Sequence, residues 1–167
     1  FVDISLAYSS NNQDMYNSRS FSQGITNGAA WYTLTGGMQD WNYAYSYSNF
    51  EVTIELGNEK WPSASSLNSY WNVNKDSLTA YMRKVHQGVR GKVTNANGDI
   101  VSAVITVEGN SHKIINSEID GWYYRPLPPG DYVIECSSFL YPGIVFTMPV
   151  SFGTYENTRI DFMFPEL

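Results

Sequence analysis

The sequence is short of cysteine, histidine and charge, and each shortage excludes something. One cysteine, Cys136, stands alone in 167 residues, so no internal disulfide organises the fold. It sits in the alternating run Tyr132-Val133-Ile134-Glu135-Cys136 and reads as a small buried side chain. The two histidines, His86 and His112, lie in no HExxH pattern and at no ligand spacing with another His, Asp or Glu. A zinc site takes three or four such side chains, so this chain assembles none by motif. His86 reads as a dipole partner at a helix end and His112 as a surface strand residue. Lysine and arginine number 10 against 16 acids, a net charge of −6, and no basic run gathers. Nucleic acid is therefore not an expected partner. No apolar run approaches the roughly 18 residues needed to span a bilayer, so no transmembrane segment is expected. A Gly-x-Ser-x-Gly elbow and a phosphate-binding glycine loop are also missing. The sequence opens at Phe1 with neither methionine nor signal peptide, and reads as a portion of something longer.

What is present is enough to build a core. Hydrophobic residues make up 43% and aromatics 16%, led by tyrosine. Residues 1–10 show an apolar stripe at helical spacing, Phe1, Ile4 and Tyr8 with Val2 and Leu6. Residues 11–28 read as a polar loop. Gly36-Gly37 permits close backbone approach, and 38–43 reads as a short helix or turn. Ser63 or Ser65 caps a helix running to about Trp71. Asn74 caps another, with Leu78, Tyr81, Met82 and Val85 on one stripe and Gly88 beyond its basic last turn. From Val89 the texture changes to short alternating runs separated by turns such as Asn97-Gly98 and Pro129-Gly130. These predict strands near 89–93, 101–107, 112–118, 131–137, 144–151 and 158–164, an all-β sandwich. The domain boundary is expected at Gly88, giving regions 1–88 and 89–167.

The stretch Phe50-Glu51-Val52-Thr53-Ile54-Glu55-Leu56 alternates strictly and predicts a strand. Carboxylates are scarce on such patterns, and Glu55 stands at its carboxyl end, where side chains of an α/β sheet meet ligand. Glu55 is thus a candidate catalytic group, although a solvent-facing glutamate on an edge strand would look the same. Glu51 and Glu55 are no glycosidase pair, because four strand residues separate them by roughly 13 Å.

Three runs carry a family resemblance, in order and spacing: residues 24–43 (GITNGAAWYTLTGGMQDWNY), 50–56 (FEVTIEL) and 85–93 (VHQGVRGKV). They resemble the zinc metallocarboxypeptidases of the carboxypeptidase N, E, M and D group. The resemblance implies that residues 1–88 are the C-terminal half of an α/β catalytic domain. It implies that 89–167 are the transthyretin-like β-sandwich that follows. It further implies release of one C-terminal residue, Lys or Arg, by zinc-assisted hydrolysis. Glu55 matches the general base that serves the zinc-bound water and then acts as acid. Tyr32 matches a tyrosine on a lid that closes over substrate. Gln39 matches the base of the specificity pocket, and Gly36, Gly37 and Thr53 match its lining. A secreted or extracytoplasmic location is implied as well.

The chain also departs from the pattern. The family's His-x-x-Glu pair, its later zinc histidine and its Asn-Arg carboxylate clamp are absent, and are expected upstream of Phe1. The expected partner is therefore the upstream half of the catalytic domain, and this chain alone is expected to be inactive. Asn49 and Gly57-Asn58 stand where secreted vertebrate members carry cysteines, which points to a microbial or otherwise divergent relative. Two rival readings are a catalytically dead relative serving as a binding or scaffold protein, and an aromatic-rich β-sandwich that binds glycans or proteins independently.

Overall fold

A computed structural model describes residues 1–45, 49–115 and 119–166. The chain divides into two compact units, Phe1–Val85 and His86–Leu167.

The first unit is helical: α1 (Val2–Ser9), α2 (Gln13–Tyr16), α3 (Gly28–Trp31), α4 (Met38–Tyr45) and α5 (Leu67–Arg83). Helices α1 and α5 pack together. Both bury small side chains, Ala7 and Ser9 on one and Ser77 and Ala80 on the other, which allows close approach. A polar clamp joins them. Asn74 Oδ1 accepts from the Tyr8 hydroxyl at 2.8 Å and from Asn12 Nδ2 at 2.9 Å, while its own Nδ2 donates to the Tyr70 carbonyl. Lys84, only 6% exposed, pairs with Asp3 at 2.9 Å.

Three expectations change here. The two helices foreseen around Trp71 and Asn74 are one, because the Asn74 side chain back-bonds within its own helix and reaches tertiary partners instead of capping. The loop foreseen at 11–28 contains α2, whose N-terminus is closed by Asn12 accepting from the Met15 N–H at 3.0 Å. The stretch 50–56 is not a paired strand. Its exposure alternates as the sequence foretold, with Phe50, Val52 and Ile54 half-buried and Glu51, Thr53 and Glu55 exposed. A ladder needs a hydrogen-bonding neighbour, and among the described residues none lies beside it.

The second unit is the all-β sandwich. Its strands are β1 (Gly88–Asn95), β2 (Val104–Val107), β3 (Asn110–Ile115), β4 (Trp122–Arg125), β5 (Gly130–Ser137), β6 (Val145–Phe152), β7 (Asn157–Arg159) and β8 (Phe162–Phe164). One sheet runs β4-β1-β7 with β8 also on β1; the other runs β3-β2-β5-β6. Strand β1 is the hub of its sheet, antiparallel to β4 and parallel to β7 and β8. The core lies between the sheets: Val93, Ile105, Tyr123, Ile134, Phe162 and Phe164, with Cys136 among them. Burial pushes the Cys136 thiol up to about 12.

The Asn95–Asp99 turn forms as expected, with Gly98 at φ +88°. It does not, however, make a hairpin of β1 and β2. Only Thr94 and Ile100 bridge, and β2 then joins the opposite sheet, because β4, β7 and β8 occupy the edges of β1. The strand expected at 158–164 is two, divided at Ile160-Asp161. There the Ile160 N–H donates to Arg90 O, and the Lys92 N–H to Asp161 Oδ1. The expected strand at 112–118 begins earlier, at Asn110, and its residues 116–118 lie outside the described residues. His112 on β3 is half-buried rather than a surface residue; burial first, and Arg125 second, hold its imidazole below its ordinary pKa.

Candidate active site

Two side-chain bonds fasten the 50–56 stretch to α4. Gln39 Nε2 donates to Thr53 Oγ1, and one turn on, Asn42 Nδ2 donates to Glu51 Oε1. The residues are three apart on the helix and two apart on an alternating segment, so each set lies on one face. The bonds run antiparallel, Gln39 to Thr53 and Asn42 to Glu51. Beyond Thr53 the segment therefore leaves α4 at its N-terminal end, the end that Gly36-Gly37 enters. Glu55 is the next residue on that same face.

The apolar face of the segment is held separately. Phe50 packs on Tyr43 and Phe1, with ring centroids 5.7 and 5.2 Å away, and Phe1 also meets Tyr43 at 5.2 Å. The Tyr81 hydroxyl of α5 donates to the Phe50 carbonyl at 3.0 Å. Burial, with the Glu51 charge as the second cause, raises the pKa of that hydroxyl. The segment is thus fixed by Phe1, α4 and α5 at one end, while Glu55 at the other makes no hydrogen bond or ion pair with the described residues.

Of the foreseen site residues, Gln39, Thr53 and Gly37 come together. A Cβ placed on Gly37 would lie 3.9 Å from Gln39 Oε1. With Nε2 committed to Thr53, the carbonyl end of the Gln39 amide is left to accept. Gly36 has φ +78°, a left-handed conformation that favours glycine, with open space where a side chain would project. Tyr32 closes α3 in an extended conformation, 55% exposed, its ring edge-on to Trp31 at 5.0 Å. The Asn27 side chain caps α3 by accepting from the Ala29 N–H. Among the described residues, no ring contact or hydrogen bond joins Tyr32 or Glu55 to Gln39 or Thr53. Sequence reasoning missed Asn42 and Glu51, the latter read as an ordinary polar-face residue. An asparagine one turn after Gln39, facing a carboxylate two before Thr53, was the available signal.

Zinc, the cofactor implied by the resemblance, does not fit the described residues by themselves. No three His, Cys, Asp or Glu side chains among them converge on one point. No helix among them is long and apolar enough to cross a membrane.

Residues 1–77 match the family model described as zinc carboxypeptidase. Carboxypeptidase D of Mus musculus is 43% identical over 149 residues, 83% of this chain and 11% of its own length. Carboxypeptidase D of Drosophila melanogaster is 44% identical over 168 residues, 97% of this chain and 12% of its own. The carboxypeptidase N catalytic chain of Homo sapiens is 38% identical over 144 residues, 85% of this chain and 30% of its own. The chain thus spans between about a tenth and a third of the curated relatives it matches. With these runs of identity, and with a helical unit followed by an all-β one, the chain belongs to the zinc carboxypeptidase family.

Proposed function

We propose that this chain is the C-terminal part of a metallocarboxypeptidase catalytic domain together with its transthyretin-like domain, divided at Gly88, and that the complete protein releases a C-terminal Lys or Arg. The zinc ligands and the clamp for the substrate's terminal carboxylate belong, on this reading, to the upstream half of the catalytic domain. Zinc, when bound, polarises the scissile carbonyl and activates water.

The remaining roles fall to residues of this chain. Glu55 takes a proton from the attacking water as its oxygen bonds to the scissile carbon, and gives it to the leaving amine nitrogen as the C–N bond breaks. An exposed, unbonded carboxylate on a segment anchored at its other end suits that exchange. Tyr32, exposed at the end of a one-turn helix and followed by the Gly36-Gly37 turn, closes over the substrate. Gln39 accepts from the basic side chain through its amide oxygen, Thr53 holds the amide in that orientation, and Gly36 and Gly37 leave room beside it. A secreted or extracytoplasmic location belongs to the same reading.

The observation that carries this proposal is the Gln39–Thr53 bond. It gathers three separately foreseen pocket residues at the end of α4 toward which Glu55 extends. The test is release of arginine from a short peptide ending in Arg by the complete protein, with and without a chelator. Loss of activity on chelation and a preference for Arg or Lys over aromatic termini are expected. Activity that survives chelation sinks the zinc mechanism, and a preference for aromatic termini sinks the role given to Gln39.

A further inference from the structure

Arg90, Lys92, Lys113, Arg125 and Arg159 are the cations of the second unit, and three of them share one outward sheet face. Along β1, Arg90 and Lys92 point away from the core while Val89, Gly91 and Val93 point into it. Arg90 stands in register with Tyr124 of β4 on one side and with Arg159 of β7 on the other; Lys92 stands opposite Trp122. Trp122 and Tyr124 stack at 6.1 Å with their planes 21° apart. Lys92 Nζ and the Arg159 guanidinium lie 5.5 and 5.0 Å from the Trp122 ring centre. Asp161 takes Arg159 at 2.7 Å, and this pairing holds its carboxyl below the usual carboxylate range.

Two features of this face are unfavourable for the isolated chain. Like charges side by side on neighbouring strands repel, and Arg90 and Arg159 are so placed. Asp161 offsets one of them; the Arg90 guanidinium makes no hydrogen bond or ion pair with the described residues. In a chain of net charge −6, such a local surplus of positive charge is complementary to an anion.

We propose that this face is a binding subsite for an acidic sugar unit of a sulfated or uronic-acid polysaccharide. A sugar ring presents C–H groups on its flat side and hydroxyl or acid groups at its rim. The open ring of Tyr124, 58% exposed, receives the flat side. Arg90 and Lys92 receive the sulfate or carboxylate, the guanidinium through its planar fork. Trp122, already contacted by Tyr124, Lys92 and Arg159, holds those groups in place. A single-stranded nucleic acid stacks successive bases on several rings, and here one ring is open. An anionic membrane is bound by apolar groups that insert beside the cations, whereas these rings pack against each other.

The test is titration of the full chain with a size-defined heparin oligosaccharide, with a neutral oligosaccharide, a single-stranded oligonucleotide and phosphatidylserine vesicles as comparisons. Binding of the sulfated probe alone is expected, weakening as salt rises. Replacing Arg90→Gln and Lys92→Gln together is expected to weaken it by about tenfold or more. Tyr124→Ala is expected to weaken it while Tyr124→Phe retains it, since the ring and not the hydroxyl is the contact. Arg90 and Tyr124 are exposed and Lys92 is half-buried, and far-UV circular dichroism matching that of the parent checks the fold. The proposal is overturned if the sulfated probe does not bind, or if it binds the double variant undiminished. Equal binding of oligonucleotide or vesicles, insensitive to Tyr124→Ala, overturns it too, by showing an unselective cationic patch.

Discussion

The amide of Gln39 has two ends with opposite chemistry, and a neighbouring side chain decides which one a ligand meets. Thr53 takes the N–H end, so the oxygen remains as an acceptor, the group proposed above to meet a cationic substrate. Thr53→Val removes the acceptor and lets the amide turn over. The ratio of kcat/KM for peptides ending in Arg to that for peptides ending in a neutral residue is expected to fall by about tenfold, and Thr53→Ser to restore it. Gln39 and Thr53 are proposed as pocket residues only through the family's motif. Their bond was not legible in the sequence, because it depends on the register between a helix and a segment 14 residues away. Cys136 makes a different point about single residues. Its thiol, ordinarily near 9.0, is pushed to about 12 by burial. The folded state therefore keeps a proton that the unfolded chain releases between those values. Stability supplied by the neutral thiol is complete below pH 9 and is lost as pH rises toward 12. The urea midpoint of the full chain is expected to fall more steeply above pH 9 than that of Cys136→Ala. Equal slopes would show that the thiol contributes nothing.

Elements were legible where local pattern decides them and illegible where a partner does. The alternation of β1 and β5 is a property of the chain itself, and it appears where the sequence put it; α1 forms as foreseen but buries Ala7, Tyr8 and Ser9, leaving Phe1 and Val2 of the foreseen stripe exposed. The long helix α5 was divided in two because Asn74 is a good cap in isolation, whereas in the fold its amide serves Tyr8, Asn12 and Tyr70 at once. Asn74→Ala leaves two buried donors without an acceptor and is expected to destabilise the complete protein by about 2–4 kcal/mol, measured by urea unfolding. Within the sandwich, Gly91 on β1 has no room for a side chain. A Cβ there would lie 1.7 Å from the Ile160 carbonyl oxygen, against backbone that cannot swing away. Tyr123, whose hydroxyl donates to that same oxygen at 2.7 Å, is only 1% exposed. Gly91→Ala is expected to cost about 1–3 kcal/mol and to lower the thermal midpoint. A substitution as mild there as at an open surface site would contradict the close approach. The stretch 50–56 is the opposite case, a strand by pattern that has no neighbour among the described residues.

At the scale of the whole molecule the two units differ in how completely each buries its apolar side chains. The sandwich closes a continuous core. The helical unit leaves Trp31, Leu34, Met38, Trp41, Leu56 and Trp61 half or more exposed. Surfaces this rich in large apolar side chains mark a place where further protein packs. The family assignment and the fraction of each relative spanned agree with that reading, and the partner proposed for this surface is the upstream half of the catalytic domain. A change of texture near Gly88 was readable in the sequence because it is local, and the two units divide close by, between Val85 and His86. The missing ligands could be recognised only by knowing what the matched motifs ordinarily accompany.

Glu55, proposed as the proton-transferring group of a carboxypeptidase, is tested by one substitution. Arginine release from a peptide ending in Arg is measured for the complete protein and for its Glu55→Gln variant, with thermal unfolding as a control for folding. A fall in kcat of about 10²–10⁴-fold is expected, with KM and thermal midpoint nearly unchanged. A variant that turns over at the parent rate would contradict it.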